Sequence, residues 1–263
     1  MTERSTLHVV SYLAPNWFDF YQAVVEFLGR VLARDVELVQ GQSDPLDDSV
    51  LLHDQLDLAF ICGLPFGRYC HIAPHQLQAL VAPVLQAPRY HNQPIYFADV
   101  IVNASSDFIT LASLKGSTFC YNDRGSNSGY HLVYQHLQYD ESLQPIFDTA
   151  IASGSHQQAI RWVVAGQADW AAIDSTVLEQ ALRQAPELVQ QLRVIESIGP
   201  SPMPPLVAAT HLGQALIDQI QAALLHPDAA LQAAMQRMTV QRYAAVKSTD
   251  YTVVNNRLAV MEG

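Results

Sequence analysis

The chain has 263 residues, of which 49% are hydrophobic and 15% charged, and 25 acids against 14 bases leave a formal net charge of −11. That length suits two α/β lobes of roughly 100–150 residues each, and the composition supplies packed cores rather than disorder. The acidic balance, with Lys115 and Lys247 the only lysines, excludes a nucleic-acid partner, which demands a basic stripe, and an anionic membrane surface, but it is compatible with a small anion held by local dipoles.

Read in chain order, Leu7–Leu13 is a strand. Trp17–Leu32 is a helix with Trp17, Tyr21, Val24, Leu28 and Val31 at helical spacing. Val36–Gln40 is a second strand and Asp44–Asp54 a short helix. Leu56–Ile61 is a buried strand that stops at Cys62-Gly63, with a helix starting near Pro65. Leu77–Leu85 is another strand. This β-α-β-α-β order implies a mostly parallel sheet with right-handed crossovers.

The same grammar restarts later. Ser117–Tyr121, Phe147–Ala152 and Ala168–Ile173 are short strands, followed by helices near Ser128–Gln138, His156–Ala165 and Ser175–Gln184. Between the blocks, Ile95–Asn103 is a β-branched and aromatic run without helical period; Leu192–Ser197 and Pro204–Thr210 form a second such stretch. These are the expected outgoing and returning connections. They divide the chain into a discontinuous first lobe, 1–97 with 203–263, and a second lobe, 98–202. Leu212, Leu216, Ile217, Ile220 and Leu224 mark a C-terminal helix packed on the first lobe.

Ligands of open α/β sheets bind beyond the carboxyl ends of the strands, where loops lead into helix N-termini. Three such ends in the second lobe are polar. In Asn122-Asp-Arg-Gly-Ser-Asn-Ser-Gly-Tyr130, the residues Ser126, Asn127 and Ser128 open a helix, where amide hydrogens and the dipole attract an anion. Ser and Asn are also ordinary helix caps, yet three in a row exceed the needs of one cap. With Asn127 at its centre, the string misses the G-x-S-x-G nucleophile elbow. Ser153-Gly-Ser-His156 places an imidazole at the second junction, and Asp174, after Ala171-Ala-Ile173, ends the third. The first lobe offers Tyr12, Gly41-Gln-Ser43 and Cys62 after its own strands, and Tyr90 and Tyr96 flank the crossover as candidate covers.

The ten histidines are scattered, with no His-Glu-x-x-His, Cys-x-x-Cys, G-x-G-x-x-G or Walker string. No metal and no cofactor is expected. Cys62, Cys70 and Cys120 read as buried free thiols. No apolar run approaches the ~20 residues of a membrane span, so no direct membrane insertion is expected. Met1–Leu7 holds Glu3 and Arg4 and no hydrophobic leader. The chain as it stands reads as cytoplasmic, and as periplasmic if a leader has been removed.

The string Tyr121–Tyr130 resembles the Asn-Asp-x-x-Ser-x-Ser-Gly-Tyr/Phe loop of the phosphate/phosphite/phosphonate-binding proteins that serve ABC transporters. Ser153–His156, Ala168–Ser175, Asp57-Leu-Ala-Phe60 and Pro94-Ile-Tyr-Phe97 match in the same order over nearly the whole chain. The resemblance implies a two-lobed periplasmic-binding fold, hinged by two strands, with the ligand between the lobes. It assigns oxyanion binding to Ser126, Asn127 and Ser128, a ligand histidine to His156, a hydroxyl-accepting acid to Asp174 and a crossover aromatic to Tyr96. Asn127 stands where that family usually carries a small hydroxyl residue.

The leading expectation is capture without chemistry: a small anionic ligand shifts the protein towards a closed form, and the partner is an ABC permease or another protein. Two other readings share the fold. One is a cytosolic enzyme acting on a small carboxylate, as in the menaquinone pathway, with His156 or Asp174 as base. The other is a ligand sensor without a leader.

Overall fold

A computed structural model describes residues 6–139 and 147–251. The 252–263 stretch assigned to the first lobe from the sequence lies outside the described residues. The elements in chain order are β1 (Leu7–Ser11), α1 (Phe18–Leu32), β2 (Val36–Gln40), α2 (Ser49–Leu52), β3 (Leu58–Phe60), α3 (Gly63–Ile72), β4 (Leu77–Leu85) and β5 (Ile95–Asn103). They continue with β6 (Ser117–Tyr121), α4 (Leu132–Tyr139), β7 (Phe147–Ala152), α5 (His156–Val164), β8 (Trp170–Asp174), α6 (Ser175–Gln184) and α7 (Leu188–Gln191). The rest are β9 (Leu192–Pro202), β10 (Leu206–Ala209), α8 (Gln214–Leu225), α9 (Ala229–Arg237) and β11 (Val240–Ala245). The chain forms two compact units, Met1–Ile95 with Pro202–Gly263, and Tyr96–Ser201.

In the first unit the strand order is β11-β4-β10-β3-β1-β2. β1 lies parallel to both β2 and β3, whereas β10 runs antiparallel to β3 and β4, and β11 antiparallel to β4. The sheet is therefore mixed rather than mostly parallel, because the returning chain inserts β10 between two strands of the opposite sense. α1 packs against α8 and α9, and its buried Tyr21 stacks on Phe60 of β3 with ring centroids 4.2 Å apart. Val31, in the last turn of α1, remains exposed.

The expected helix over Asp44–Asp54 is instead a 3-10 turn, Pro45–Asp47, followed by α2. Two aspartates explain the break: Asp44 caps the amide of Leu46 and Asp48 that of Val50, each at 2.9 Å. Each cap starts its own turn. α9 and β11 lie beyond the reach of the sequence reading, which ended at Leu224.

In the second unit the order is β7-β6-β8-β5-β9. β6 is parallel to β7 and β8, and β5 is antiparallel to β8. The core centres on Trp170, which stacks on Phe119 at 4.2 Å and donates from Nε1 to Ser117 Oγ at 3.0 Å. Val100, Val102, Leu114 and Val133 are among the residues that close around this pair. Of the cysteines, Cys120 is buried, while Cys62 and Cys70 are only half-buried; all three are free thiols. The expectation of burial thus holds for Cys120 alone, because Cys62 and Cys70 lie at the start and inside of α3 rather than on a central strand. Among the described residues no helix is long and apolar enough to cross a membrane.

Three substitutions test these contacts. Trp170→Ala should cost about 3–5 kcal/mol in chemical denaturation, and Ser117→Ala about 1–3 kcal/mol, because it strands a buried indole N–H; a loss under ~1 kcal/mol for Trp170→Ala would contradict this core. On the first unit, His211 bridges Asp57 at 2.9 Å and Asp54 at 3.2 Å, and hydrogen bonding to Asp57 is the main cause that raises its pKa. A raised histidine pKa contributes stability below its ordinary value of about 6.5 and loses it as pH climbs through the folded value. His211→Ala should therefore be less stable than the parent at pH ~6, by no more than about 1 kcal/mol at this partly exposed place, and equal to it at alkaline pH.

Candidate functional site

β6, β7 and β8 run in one direction as neighbours in the order β7-β6-β8, so their carboxyl ends share one rim of the second unit. Backbone bonds tie two of the loops together: Ser153 N donates to Tyr121 O at 2.8 Å, and Gly154 N to Asn122 O at 2.9 Å. The third loop joins through packing of the Asn127–His131 turn on β8.

The Asn127–His131 turn is π-helical and leads into α4, so that His131 N reaches back to Ser126 O at 3.1 Å. Such widened turns recur at functional sites. Ser126 is the cap, and its Oγ accepts from Gly129 N at 3.1 Å. Asn127 and Ser128 are buried. Gly129 is required by proximity. A Cβ there would lie 1.8 Å from Asn122 Oδ1 and 3.1 Å from His156 Cε1. The glycine thus lets the turn settle directly on the loops after β6 and β7.

His156 is the first residue of α5, following the cap Ser155, whose Oγ accepts from Gln158 N at 3.1 Å. Its Nε2 lies 3.3 Å from Ser128 Oγ. Burial lowers its pKa to about 4, so the ring is neutral at physiological pH. Asp174 ends β8 and caps α6, with Oδ1 accepting from Thr176 N at 2.8 Å. Burial, foremost, and the nearby Asp99 lift its pKa to about 6 against the opposing Thr176 bonds. The Tyr96 hydroxyl accepts from Asn127 Nδ2 at 2.8 Å, and Ser201 Oγ lies 3.4 Å from the same nitrogen.

Ser126, Asn127, Ser128, His156 and Tyr96 are thus joined directly or through one neighbour. Asp174 stands at the adjoining strand end: it pairs with Ala98, two residues from Tyr96 on the same face of β5. Three side-chain atoms here are buried without a hydrogen-bond partner: Asn122 Oδ1, Asn127 Oδ1 and His156 Nδ1. Native structures keep few such atoms, and a cluster of them needs an explanation.

Tyr12 and Cys62 belong to the first unit, after the paired strands β1 and β3. The Tyr12 hydroxyl is committed to Asp48 Oδ2 at 2.9 Å, and its pKa is raised by burial and then by that bond. Cys62 immediately precedes α3, without a side-chain cap bond. Tyr90 is fully buried within the first unit, with the Arg89 guanidinium 5.7 Å from its ring centre. The sequence reading missed Asn122, Asp99, whose Oδ1 accepts from Ser197 Oγ at 2.7 Å, and Ser201. Asn122 lay inside the motif, but nothing in the spacing separates it from an ordinary turn residue. Asp99 and Ser201 sit in strands, where polarity alone is the signal. Among the described residues no group of three or more His, Cys, Asp or Glu side chains is placed to hold a metal ion.

A sequence model of the family described as ABC transporter, phosphonate, periplasmic substrate-binding protein matches residues 9–251. Comparison with curated proteins returns no significant match. Among solved structures, a binding protein component of an ABC phosphonate transporter from Pseudomonas aeruginosa superposes with a TM-score of 0.81 at 17% identity, over 99% of this chain and 87% of that one. PhnD1 from Prochlorococcus marinus, in complex with methylphosphonate, gives 0.81 at 17% identity over 99% of each chain. A Xanthomonas citri protein bound to chloride ion gives 0.74 at 14% identity, over 98% of this chain and 97% of that one. At these identities the neighbours establish the fold, a two-lobed α/β architecture of the periplasmic-binding type, and the match over residues 9–251 establishes kinship: the chain belongs to the phosphonate ABC transporter periplasmic substrate-binding protein family.

Proposed function

We propose that the chain is a solute-binding protein that captures a small phosphonate- or phosphate-like oxyanion by hinge closure of its two lobes and presents it to an ABC permease. The observation that carries this reading is the convergence of a helix-opening turn, Ser126–Gly129, on a buried neutral histidine, His156, whose Nδ1 is still unpaired. Helix-opening amides and neutral donors solvate an oxyanion without a counter-charge. Asp174 suits this role only for a ligand that carries a hydroxyl, since a carboxylate repels a bare anionic oxygen and accepts from an O–H. Tyr12 and Cys62 are the contacts proposed from the first lobe, and the setting proposed for the chain is the periplasm, the family's usual compartment.

The same site argues against chemistry. Ser128 meets His156 as a nucleophile would meet a base, but the other ring nitrogen, Nδ1, is buried without the carboxylate that orients such a base. The protein therefore binds its ligand and does not turn it over.

Calorimetry with phosphate, phosphite, methylphosphonate and sulfate tests the reading. At least one phosphorus oxyanion should bind, and His156→Ala should weaken it about tenfold to a hundredfold through loss of a buried hydrogen bond. If none of the four binds or raises the melting temperature of the protein, the oxyanion reading is wrong.

Asp174 adds a test with opposite signs for stability and binding. Its folded pKa, about 6, lies above that of an exposed aspartate. Between pH ~4 and ~6 the folded state holds more protons than the unfolded one, so stability falls as pH rises through that window. Ionised Asp174 then costs the fold on the order of 1–3 kcal/mol. Asp174→Asn keeps the cap and should stabilise the unliganded protein at pH 7 by about that much, with the gain vanishing below pH ~4, while binding weakens. Destabilisation at pH 7 would contradict this picture.

A further inference from the structure

The side chain of Asn127 is held more tightly than a helix-opening residue requires. It is buried at 3% exposure, and its Nδ2 donates to the Tyr96 hydroxyl at 2.8 Å and to Ser201 Oγ at 3.4 Å. Tyr96 and Ser201 are the first and last residues of the second unit, on β5 and β9. The amide is thus gripped from both strands by which the chain enters and leaves that unit. A serine or threonine hydroxyl is a rotor that donates or accepts as its surroundings demand; a clamped amide offers one fixed group. The fixed group is Oδ1, which is buried and has no partner. A buried carbonyl oxygen in that state is uncommon and calls for a hydrogen-bond donor. The second acceptor of the site is the Asp174 carboxylate, on the face of the sheet shared with Tyr96.

We infer that Asn127 is a specificity residue, and that its clamped carbonyl oxygen accepts a hydrogen bond from a hydroxyl of the bound anion. This rests on the oxyanion reading above. With Asn127 and Asp174 both accepting, the site selects oxyanions by the number of hydroxyl groups they present. Singly charged dihydrogen phosphate has two. Singly charged phosphite and methylphosphonate have one each, and sulfate has none.

The test is calorimetric titration of phosphate, phosphite and methylphosphonate at pH ~6.5, where the singly charged form of each is still available and Asp174, with its pKa of about 6, is mostly ionised, into the wild-type chain, Asn127→Ser and Tyr96→Phe. Phosphite is the smaller of the one-hydroxyl ligands and separates hydroxyl count from bulk. The wild type should bind dihydrogen phosphate about tenfold more tightly than either of the others, a difference of about 1.4 kcal/mol. Asn127→Ser should shrink that ratio to about twofold or less. Tyr96→Phe, which releases one arm of the clamp, should lower it in the same direction and stands in if Asn127→Ser fails to fold. A ratio that survives in the folded variants, or a wild type that prefers phosphite or methylphosphonate, overturns the inference while leaving the oxyanion reading intact. Absence of binding by any anion to the wild type overturns the oxyanion reading instead, and this inference with it.

Discussion

Gly129 sits where no side chain fits. With Asn122 Oδ1 1.8 Å from the place a Cβ would occupy, and His156 Cε1 at 3.1 Å, the helix-opening turn presses directly on the loops after β6 and β7. That contact brings Ser128 within 3.3 Å of His156 and buries Asn127 where Tyr96 and Ser201 can hold it. A larger residue there would have to displace the Asn122 side chain or push the turn outwards, and either change disturbs the contact with His156. The site is therefore a consequence of packing first and of side-chain chemistry second.

The electrostatics follow from the same burial. Withdrawal from water makes His156 neutral and raises the Asp174 pKa to about 6, so near pH 7 the imidazole adds no charge while Asp174 stays a carboxylate that only a hydroxyl can approach. Fixed donors that need not reorganise suit anion capture in a chain whose net charge of −11 would otherwise repel an anion at long range. The cost is a fold carrying polar atoms without partners, a familiar exchange of stability for function.

Much of this was legible in the residues. Alternating strand and helix periods in two blocks separated the α/β units, and Ser126, Asn127, Ser128, His156 and Asp174 stood out because strand ends rarely need so many polar donors. The resemblance in Tyr121–Tyr130 pointed to the family that the match over residues 9–251 establishes. Sheet direction was not legible, because β10 reads the same in either sense and its place between β3 and β4 is settled by long-range pairing. The split of Asp44–Asp54 turned on two caps that periodicity averages over. The grip of Tyr96 and Ser201 on Asn127 joins residues 31 and 74 positions apart, a distance that no local pattern spans.

Backbone amide and imidazole chemical shifts, followed by NMR during titration with phosphate, measure the central claim directly. The account expects the largest changes at Ser126–Gly129, at Ser155 and His156, and at Asp174–Thr176, all saturating together at one ligand per chain. Saturable binding whose shifts fall elsewhere, leaving those three strand ends unmoved, would contradict it.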